Sequence, residues 1–185
     1  MPTPRFARTD WLELSFQQLK QDGALSLTVE NLCELAKKTR GSFYFHFENM
    51  DAFLLALAQE WKEQFTDAVT LETKGQISRN DLLNRLTACL DPQLETNIRQ
   101  LAMIRTPIQQ VILAADQQRI NWLAGLYVSS GYCGKSEAQN LARIEYSAFV
   151  GFRMVNPDIS DKEAYMLYKE FLGLTGRSAS SRVRS

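Results

Sequence analysis

The sequence predicts an all-α protein in which a small three-helix head precedes a larger helical bundle, with about nine helices in total. Apolar residues recur three and four positions apart through most of the chain, which is the spacing of one helix face. The sequence contains no alternating apolar and polar run of strand length between hairpin turns. Residues that cap or break helices separate the apolar stripes, so the helices can be assigned in order.

The first three predicted helices are short. Helix one runs from about Thr9 to Asp22, and we expect Gly23 to end it in a left-handed conformation. Helix two starts after Thr28, a residue type that caps helix N-termini, and residues 37–39 interrupt the pattern. Thr39 can then cap a third helix from Arg40 to His46.

The middle of the chain consists of longer predicted helices. Asn49 and Asp51 open a fourth helix that continues to Ala68, and Gly75 breaks the pattern. Capping residues, two of them followed by a proline in the first turn, indicate further helix starts at Ser78, Asp91-Pro92 and Thr106-Pro107. We expect the helix from Thr106 to be long and to end at Gly131.

Two capping boxes, each a serine followed three residues later by Gln or Glu, open the last two predicted helices. Ser136 and Gln139 begin a helix of about 136–155, and Ser160 and Glu163 begin one of about 161–174. Residues 177–185 are polar, Ser-rich and basic, and we expect a disordered tail there.

The composition excludes several classes of protein. The chain has 185 residues, of which 45% are hydrophobic, and its ten Phe, six Tyr and three Trp need a globular core. The formal net charge is zero, which excludes a protein that coats nucleic acid through overall positive charge. Any contact with phosphates must therefore come from a local patch.

Cysteine usage and apolar runs favour a cytoplasmic protein. Cys33, Cys89 and Cys133 lie far apart and include no CxxC pair, which argues against a disulfide framework and fits a reducing compartment. No run of 18 apolar residues is present, and the N-terminus lacks the layout of a secretory signal. We therefore expect no contact with a membrane.

The single histidine, His46, makes an enzyme or a metal site improbable on sequence grounds. A His-rich metal site needs more than one imidazole, and His46 has no second ligand or catalytic partner close in sequence. The phosphate-binding, nucleophile-elbow and zinc-protease motifs are also missing. We expect neither catalytic residues nor a cofactor nor a metal.

Residues 28–47 carry most of the functional information. Two short capped helices joined by three residues form a helix-turn-helix, whose second helix can enter the major groove of DNA. Arg40 can reach a guanine edge or a phosphate, while Gly41 and Ser42 allow close approach of the backbone. Lys37 and Lys38 extend the positive patch, because no acidic residue lies between Lys37 and Phe47.

The third helix also divides into two kinds of side chain. Tyr44 and His46 carry polar ends suited to phosphate oxygens, while Phe43 and Phe47, four residues apart, are expected to point inward. The expected DNA-binding residues are Thr28, Lys37, Lys38, Thr39, Arg40, Gly41, Ser42, Tyr44, Phe45 and His46. Two alternatives stay open: an ordinary pair of short bundle helices, and a solvated turn at the two lysines.

The run from Thr39 to Phe47 resembles the signature of the TetR family of one-component bacterial transcription regulators. The family pattern is Ser/Thr-Arg-Gly-Ser/Thr-Phe-Tyr-x-His-Phe after a Thr-capped helix and a turn, and this chain reads TRGSFYFHF. The resemblance covers about residues 9–60 at motif level and is architectural beyond them. It implies a homodimer formed by the last two helices, and a pocket for a small effector that changes the spacing of the two DNA-reading heads.

Two positions depart from the family pattern. The family often has a glycine and then an apolar residue in the turn, where this chain has Lys37 and Lys38. A lysine usually stands near the start of helix four, where this chain has Met50 beside Glu48. We expect the phosphate contact made at that lysine to move to Lys37 and Lys38.

The effector pocket and the dimer interface have candidate residues too. Aromatic residues and a methionine at helical spacing could line a pocket for an apolar ligand, although such residues are more often core: Trp61, Phe65, Met103, Trp122 and Tyr146. Small residues and a surplus of aromatics on the last two helices favour a two-fold interface. They are Ala138, Leu141, Ala142, Tyr146, Phe149, Gly151, Phe152, Tyr165, Tyr168, Phe171 and Leu172.

These inferences combine into one predicted function. We expect a homodimeric transcription regulator, a repressor by family default, that binds a palindromic double-stranded DNA operator and is released by a small effector. Residues 1–47 would form the DNA-binding domain and residues 48–176 the dimerisation and effector domain. The alternative is a helical ligand-binding or protein-interaction module that has lost DNA binding, which Glu48 and Met50 favour.

Overall fold

The computed structural model describes residues 6–67, 91–156 and 158–182, and within them the chain is all-α. The eight helices are α1 (Arg8–Asp22), α2 (Val29–Ala36), α3 (Arg40–Tyr44), α4 (Met50–Lys62), α5 (Pro92–Ile104), α6 (Thr106–Ser129), α7 (Lys135–Val155) and α8 (Asp161–Arg182). A 3-10 turn covers Ala24–Ser26, and a π-helical turn, Glu63–Asp67, follows α4. The predicted end of helix four at Ala68 and Gly75, and the helix start at Ser78, lie outside the described residues.

Most of the predicted helix caps are confirmed, because a cap is a local interaction over two or three residues. The side chains of Thr28, Thr39 and Asn49 accept hydrogen bonds from backbone N–H groups three residues on. Asp91 accepts from two amides of α5, with Pro92 in the first turn. Ser160 and Glu163 form the predicted capping box, each side chain accepting from the other residue's N–H.

Three local expectations differ from the structure. Gly134 caps α7 with its backbone carbonyl, so Ser136 lies inside the first turn and forms no capping box. Gly23 has a positive φ of 77°, but its ψ of −176° places it outside the left-handed helical region. Helix α8 continues to Arg182, so the backbone of residues 177–182 is helical where we expected disorder. No proline interrupts that stretch, and each added turn gains hydrogen bonds once a helix exists.

The chain divides into two compact units. The first contains residues 6–67 and 91–115 of the described chain, and the second contains residues 116–182. Helix α5 therefore belongs with the head, and α6 begins in the first unit and ends in the second. The functional boundary at residue 47 stays a prediction.

Polar contacts join α5 to α1 within the first unit. The buried Asn97 side chain on α5 donates a hydrogen bond to the backbone carbonyl of Leu19, near the end of α1. Lys20 forms an ion pair with Asp91 at 2.9 Å. Both contacts sit beside a continuous apolar core to which α1 to α6 all contribute. The head is therefore packed against α5 through both apolar and polar groups.

The second unit has a smaller apolar core with a buried carboxylate beside it. Its core consists of Leu123, Ala124, Tyr127, Ala138, Ala142 and Tyr146. The buried Glu145 accepts hydrogen bonds from the hydroxyls of Tyr127 and Tyr168, which offset the loss of water around its charge. The Tyr146 hydroxyl donates to Asp116 at 2.6 Å and accepts from Arg119 at 3.1 Å.

Within the described ranges, no helix is both long enough and apolar enough to cross a lipid bilayer. The same ranges hold no group of three or more His, Cys, Asp or Glu side chains placed to bind a metal ion.

Candidate nucleic-acid interface

Helix α3 is fixed to the head by two buried phenylalanines. Phe43 and Phe47 are buried, as their spacing predicts. Phe43 packs edge-on against Trp11 of α1 at 5.3 Å and against Phe53 of α4 at 5.2 Å between ring centroids. The aromatic contacts on both sides set the orientation of α3, because a short helix of five residues cannot hold itself in place.

The opposite side of α3 is exposed and carries the residues expected to meet DNA. The side chain of Arg40 is 66% exposed, and Tyr44 and Phe45 are 50% and 66% exposed. Two aromatics on one short turn in water form a surface suited to contact with another molecule. Gly41 is exposed as well, and Ser42 is partly exposed, so the N-terminal end of α3 is open to a partner.

Gly41 has no structural reason to be a glycine within the described chain. A Cβ atom built there would meet only the Thr39 hydroxyl oxygen among the described residues, at an ordinary 3.7 Å. Its φ is not positive, so its backbone conformation suits any residue. Glycine destabilises a helix relative to alanine by about 0.5–1 kcal/mol. A glycine at residue 41 therefore points to a binding partner that approaches α3 from solvent.

Arg40 forms an ion pair with Glu30, which the sequence analysis does not predict. Its guanidinium contacts the Glu30 carboxylate at 2.6 Å, and both side chains are largely exposed. Arg40 and Glu30 stand ten residues apart on different helices, so neither helix periodicity nor local motif spacing indicates the pair. The pair lies between α2 and α3.

The turn between α2 and α3 places its two lysines differently. Lys37 ends α2 in the left-handed conformation, with φ 52° and ψ 43°, and its side chain is exposed. Lys38 is half-buried, and its ammonium lies over the ring of Phe6 at 5.6 Å from the centroid. Neither lysine has an ion pair within the described residues.

The capping threonines can still contact DNA. The hydroxyl oxygens of Thr28 and Thr39 each accept a backbone N–H at 3.2 Å, which leaves each hydroxyl hydrogen able to donate to a phosphate. Both residues are exposed. The capping and phosphate-binding roles are therefore compatible.

His46 is half-buried and bonded to the chain ahead of α1. Its Nε2 lies 3.1 Å from the backbone carbonyl of Phe6, forty residues earlier. A carbonyl only accepts, so Nε2 carries the hydrogen and donates it. The structure thus gives His46 a partner inside the protein, which the sequence reading missed because that partner is a backbone group far away in sequence.

The cysteine of this head, Cys33, is a buried core residue. Cys33 lies on the buried face of α2 and is free, as its apolar neighbours predict. Burial raises the pKa of its thiol, and so does nearby Glu30, while Arg40 lowers it. The thiol therefore stays protonated and acts as a small core group.

The five candidate effector residues are divided between the two units. In the first unit, Trp61 is buried in the core, Phe65 packs against Phe16, and Met103 is exposed. In the second unit, Trp122 and Tyr146 belong to one apolar cluster. Their role as a pocket stays a prediction.

The helices described above form a helix-turn-helix head followed by a helical bundle, which is the architecture of a DNA-binding regulator. Residues 12–57 match the sequence profile described as bacterial regulatory proteins, tetR family. The head of this chain is therefore similar to the corresponding part of TetR-family transcriptional regulators.

Individual relatives agree with this assignment. The HTH-type transcriptional regulator YuxN of Bacillus subtilis strain 168 is 27% identical over 85 residues, which are 45% of this chain and 29% of that protein. The matched stretch therefore spans less than a third of that relative.

Solved structures show the same fold over almost the whole chain. A transcriptional regulator from Saccharomonospora viridis, crystallised in complex with choline, has a TM-score of 0.74 at 13% identity, covering 90% of this chain and 95% of that one. The reduced form of NemR from Escherichia coli has a TM-score of 0.67 at 17% identity, covering 88% and 95%.

Proposed function

We propose that this protein is a transcription regulator that binds a palindromic operator as a homodimer and represses neighbouring genes until a small effector releases it. The head has the family's DNA-binding fold, and α3 exposes the residues that would read DNA while burying those that would not. Operator binding accounts for the exposed aromatics and for the glycine at residue 41. The protein would act in the cytoplasm and would need no catalytic step.

Gly41 is the observation that carries this proposal. The fold tolerates a side chain there, so the missing Cβ serves an approach from solvent. Arg40 and Ser42 flank it on the open end of α3. A DNA backbone or base edge is the partner that such a helix end fits, because the N-terminal residues of a recognition helix lie closest to the bases.

A gel-shift series with the DNA flanking the protein's own coding region tests DNA binding. Arg40→Ala should lose about 1–3 kcal/mol of specific binding if Arg40 reads a base. Lys135→Ala, which removes an exposed cation at the start of α7, is the matched control and should bind as the wild type does. Equal affinity of Arg40→Ala and the control would remove the role assigned to Arg40.

Dimer formation would come from the last two helices, through those side chains that a single subunit leaves partly or fully exposed. Ala138, Ala142, Tyr146 and Tyr168 are buried inside their own subunit and are not available to a second copy. Among the side chains that the structure describes on α7 and α8, the exposed large apolar ones are Ile144, Met154, Val155, Met166 and Leu167. Two recognition helices would then reach half-sites about 34–36 Å apart, or a multiple of that distance.

Effector release would work through differential affinity for two head spacings. An effector can shift operator binding only by the difference in its affinity for the two states, typically about 1–3 kcal/mol. Helix α6 supports this coupling, because it is one continuous helix whose first part belongs to the unit of the head and whose remainder belongs to the second unit. Trp122 and Tyr146 are candidates for contact with an apolar effector in the second unit.

The second candidate function is a ligand-binding or protein-interaction module whose head no longer binds DNA. The Arg40–Glu30 ion pair favours it, since Glu30 places a carboxylate beside the residue that would read a base. However, an exposed pair contributes only about 0–1 kcal/mol, less than the roughly 1–3 kcal/mol of a bidentate base contact. We therefore expect DNA to displace Glu30, and a wild-type protein that shifts no flanking DNA would favour the module.

A further inference from the structure

The structure points to a third DNA-contacting element besides α2 and α3: the segment from Phe6 to Arg8, immediately ahead of and at the start of α1. We propose that Arg8 binds a phosphate of the duplex and that Phe6 anchors the segment beside the recognition helix. This inference rests on the proposed DNA-binding function. It adds a binding residue outside the helix-turn-helix motif.

Phe6 contacts α1 and the two residues Lys38 and His46, which lie on either side of α3. Its ring packs edge-on against Trp11 at 5.0 Å between centroids and lies under the ammonium of Lys38 at 5.6 Å. Its carbonyl accepts the hydrogen bond from His46 at 3.1 Å. Lys38 precedes α3 and His46 follows it, so Phe6 contacts the chain on both sides of this helix.

Arg8 lies beside Phe47, which follows α3 in the chain. Its guanidinium carbon lies 5.4 Å from the centroid of the Phe47 ring, and Phe47 is itself fixed in the core. Stacking on an aromatic face leaves the N–H donors at the guanidinium edge available for hydrogen bonds. The residue is exposed, so those donors can reach a partner in solvent.

The charge environment leaves Arg8 available to an anion. Arg40, Lys20 and Lys62 are each paired with a carboxylate in the first unit, whereas Arg8 has no ion pair within the described ranges. The nearby Asp10 carboxylate accepts the N–H of Ala7 at 2.6 Å. Arg8 is therefore a cation fixed by a ring rather than neutralised by an acid.

The geometry of major-groove binding places a phosphate near such a group. A recognition helix in the groove is flanked by the two sugar–phosphate backbones, and most contacts from the flanking elements go to phosphates. The sequence has Met50 beside Glu48 at the start of α4, where neither residue offers a cation. Arg8, next to Phe47, supplies positive charge close to that position.

The experiment measures operator affinity against salt concentration for full-length variants. Each phosphate contact contributes about 0.9 to the slope of log K against log salt, so Arg8→Gln should flatten the slope by about 1.8 for a dimer. Arg8→Lys keeps the charge and should keep most of the slope. Lys135→Gln, which also removes one cation, should leave the slope unchanged, and circular dichroism should show that every variant is folded.

The outcomes separate this inference from the proposed function. If the wild type binds the operator but Arg8→Gln has the same slope as Lys135→Gln, the role of Arg8 is wrong while DNA binding stands. If the wild type shows no salt-dependent DNA binding, the proposed function itself fails. His46→Ala should weaken binding by releasing Phe6, and His46→Gln should restore it, because the Gln amide can donate to the same carbonyl.

Discussion

Gly41 lies on a short helix, α3, whose one side packs into the head and whose other side is exposed to solvent. Phe43 and Phe47 face inward and join α3 to α1 and α4, while Arg40 and Tyr44 face solvent. Glycine at this point of a helix lowers stability, and no described neighbour requires it. The residue is therefore best explained by what α3 binds.

Substitution of Gly41 should separate folding from binding. We expect Gly41→Ala to raise the free energy of unfolding by about 0.5–1 kcal/mol, because alanine favours the helix. The same substitution should lower operator affinity, since the added methyl group occupies the space where DNA approaches. Denaturant titration and gel shift on the same preparations measure both quantities, and unchanged DNA affinity would leave Gly41 without explanation.

Lys37 is held in a conformation that most residues avoid. Its left-handed φ and ψ allow the N–H of Lys38 to bond the carbonyl of Cys33, which closes the C-terminus of α2. A residue with a Cβ pays about 1–2 kcal/mol for that conformation. We therefore expect the charge of Lys37 to contribute to DNA binding.

Replacement of Lys37 tests that use. Lys37→Gly should raise the free energy of unfolding by about 0.5–1 kcal/mol, less than the full strain because glycine also gains freedom in the unfolded chain. It should weaken DNA binding about equally for all sequences if the ammonium contacts a phosphate. Lys37→Asn tolerates the conformation without charge and controls for backbone effects; full DNA affinity in both variants would indicate a solvated turn.

At the scale of the element, helix α5 begins with a carboxylate that has two roles. Partial burial raises the pKa of Asp91, but the hydrogen bonds from the Leu94 and Gln93 amides and the Lys20 ammonium together lower that pKa below its ordinary 3.8. The folded protein therefore favours the charged carboxylate. The stabilisation is present above the unfolded pKa and is lost as the pH falls through the folded value.

The difference in stability between the wild type and Asp91→Asn should depend on pH in the direction that this lowered pKa requires. Asparagine caps a helix about as well as aspartate, so the variant mainly removes the charge and the ion pair with Lys20. We expect the wild type to be more stable than the variant at pH 6, with the difference shrinking as the pH falls below about 4. Thermal melts across that range measure it, and a difference independent of pH would exclude the charged form as its source.

The elements that the sequence predicts correctly are those governed by neighbours in the chain. Thr28, Thr39 and Asn49 cap their helices because a cap needs only a side chain and an amide three residues on. Contacts between distant segments, such as His46 with Phe6 or Arg40 with Glu30, depend on packing that no local pattern encodes. The sequence therefore predicts which side of α3 is exposed, but not the partners that position its residues.

At the scale of the whole molecule, the exposed apolar residues of α7 and α8 form a surface that a second protein chain could bury. Val155, Met166 and Leu167 line an open cleft where α7 turns into α8, together with the charged Lys162 and Glu163. Apolar groups bordered by charges are typical of surfaces that bind another protein. A second copy of the chain is the partner that the proposed operator requires.

A charged substitution on this surface should break the dimer. Leu167, which is 44% exposed, changed to Asp would place a carboxylate in the proposed interface, so we expect the protein to become a monomer in sedimentation experiments. Leu113→Asp, at a 59% exposed residue of α6, is the matched control and should stay dimeric. A wild type that sediments as a monomer, or a Leu167→Asp protein that remains a dimer, would contradict the assigned interface.

The contacts of Asn97 and Asp91 with α1 have a practical consequence for hybrid regulators. An exchange of DNA specificity by grafting residues 1–47 onto a related protein would leave the donor's α1 facing a foreign α5. The Leu19 carbonyl would lose the hydrogen bond from Asn97, and Lys20 would lose its ion pair with Asp91. A chimera that carries residues 1–67 together with residues 91–115 would keep both contacts and also the packing of Phe43 against Phe53 of α4. The transferable piece of this protein is thus discontinuous in sequence.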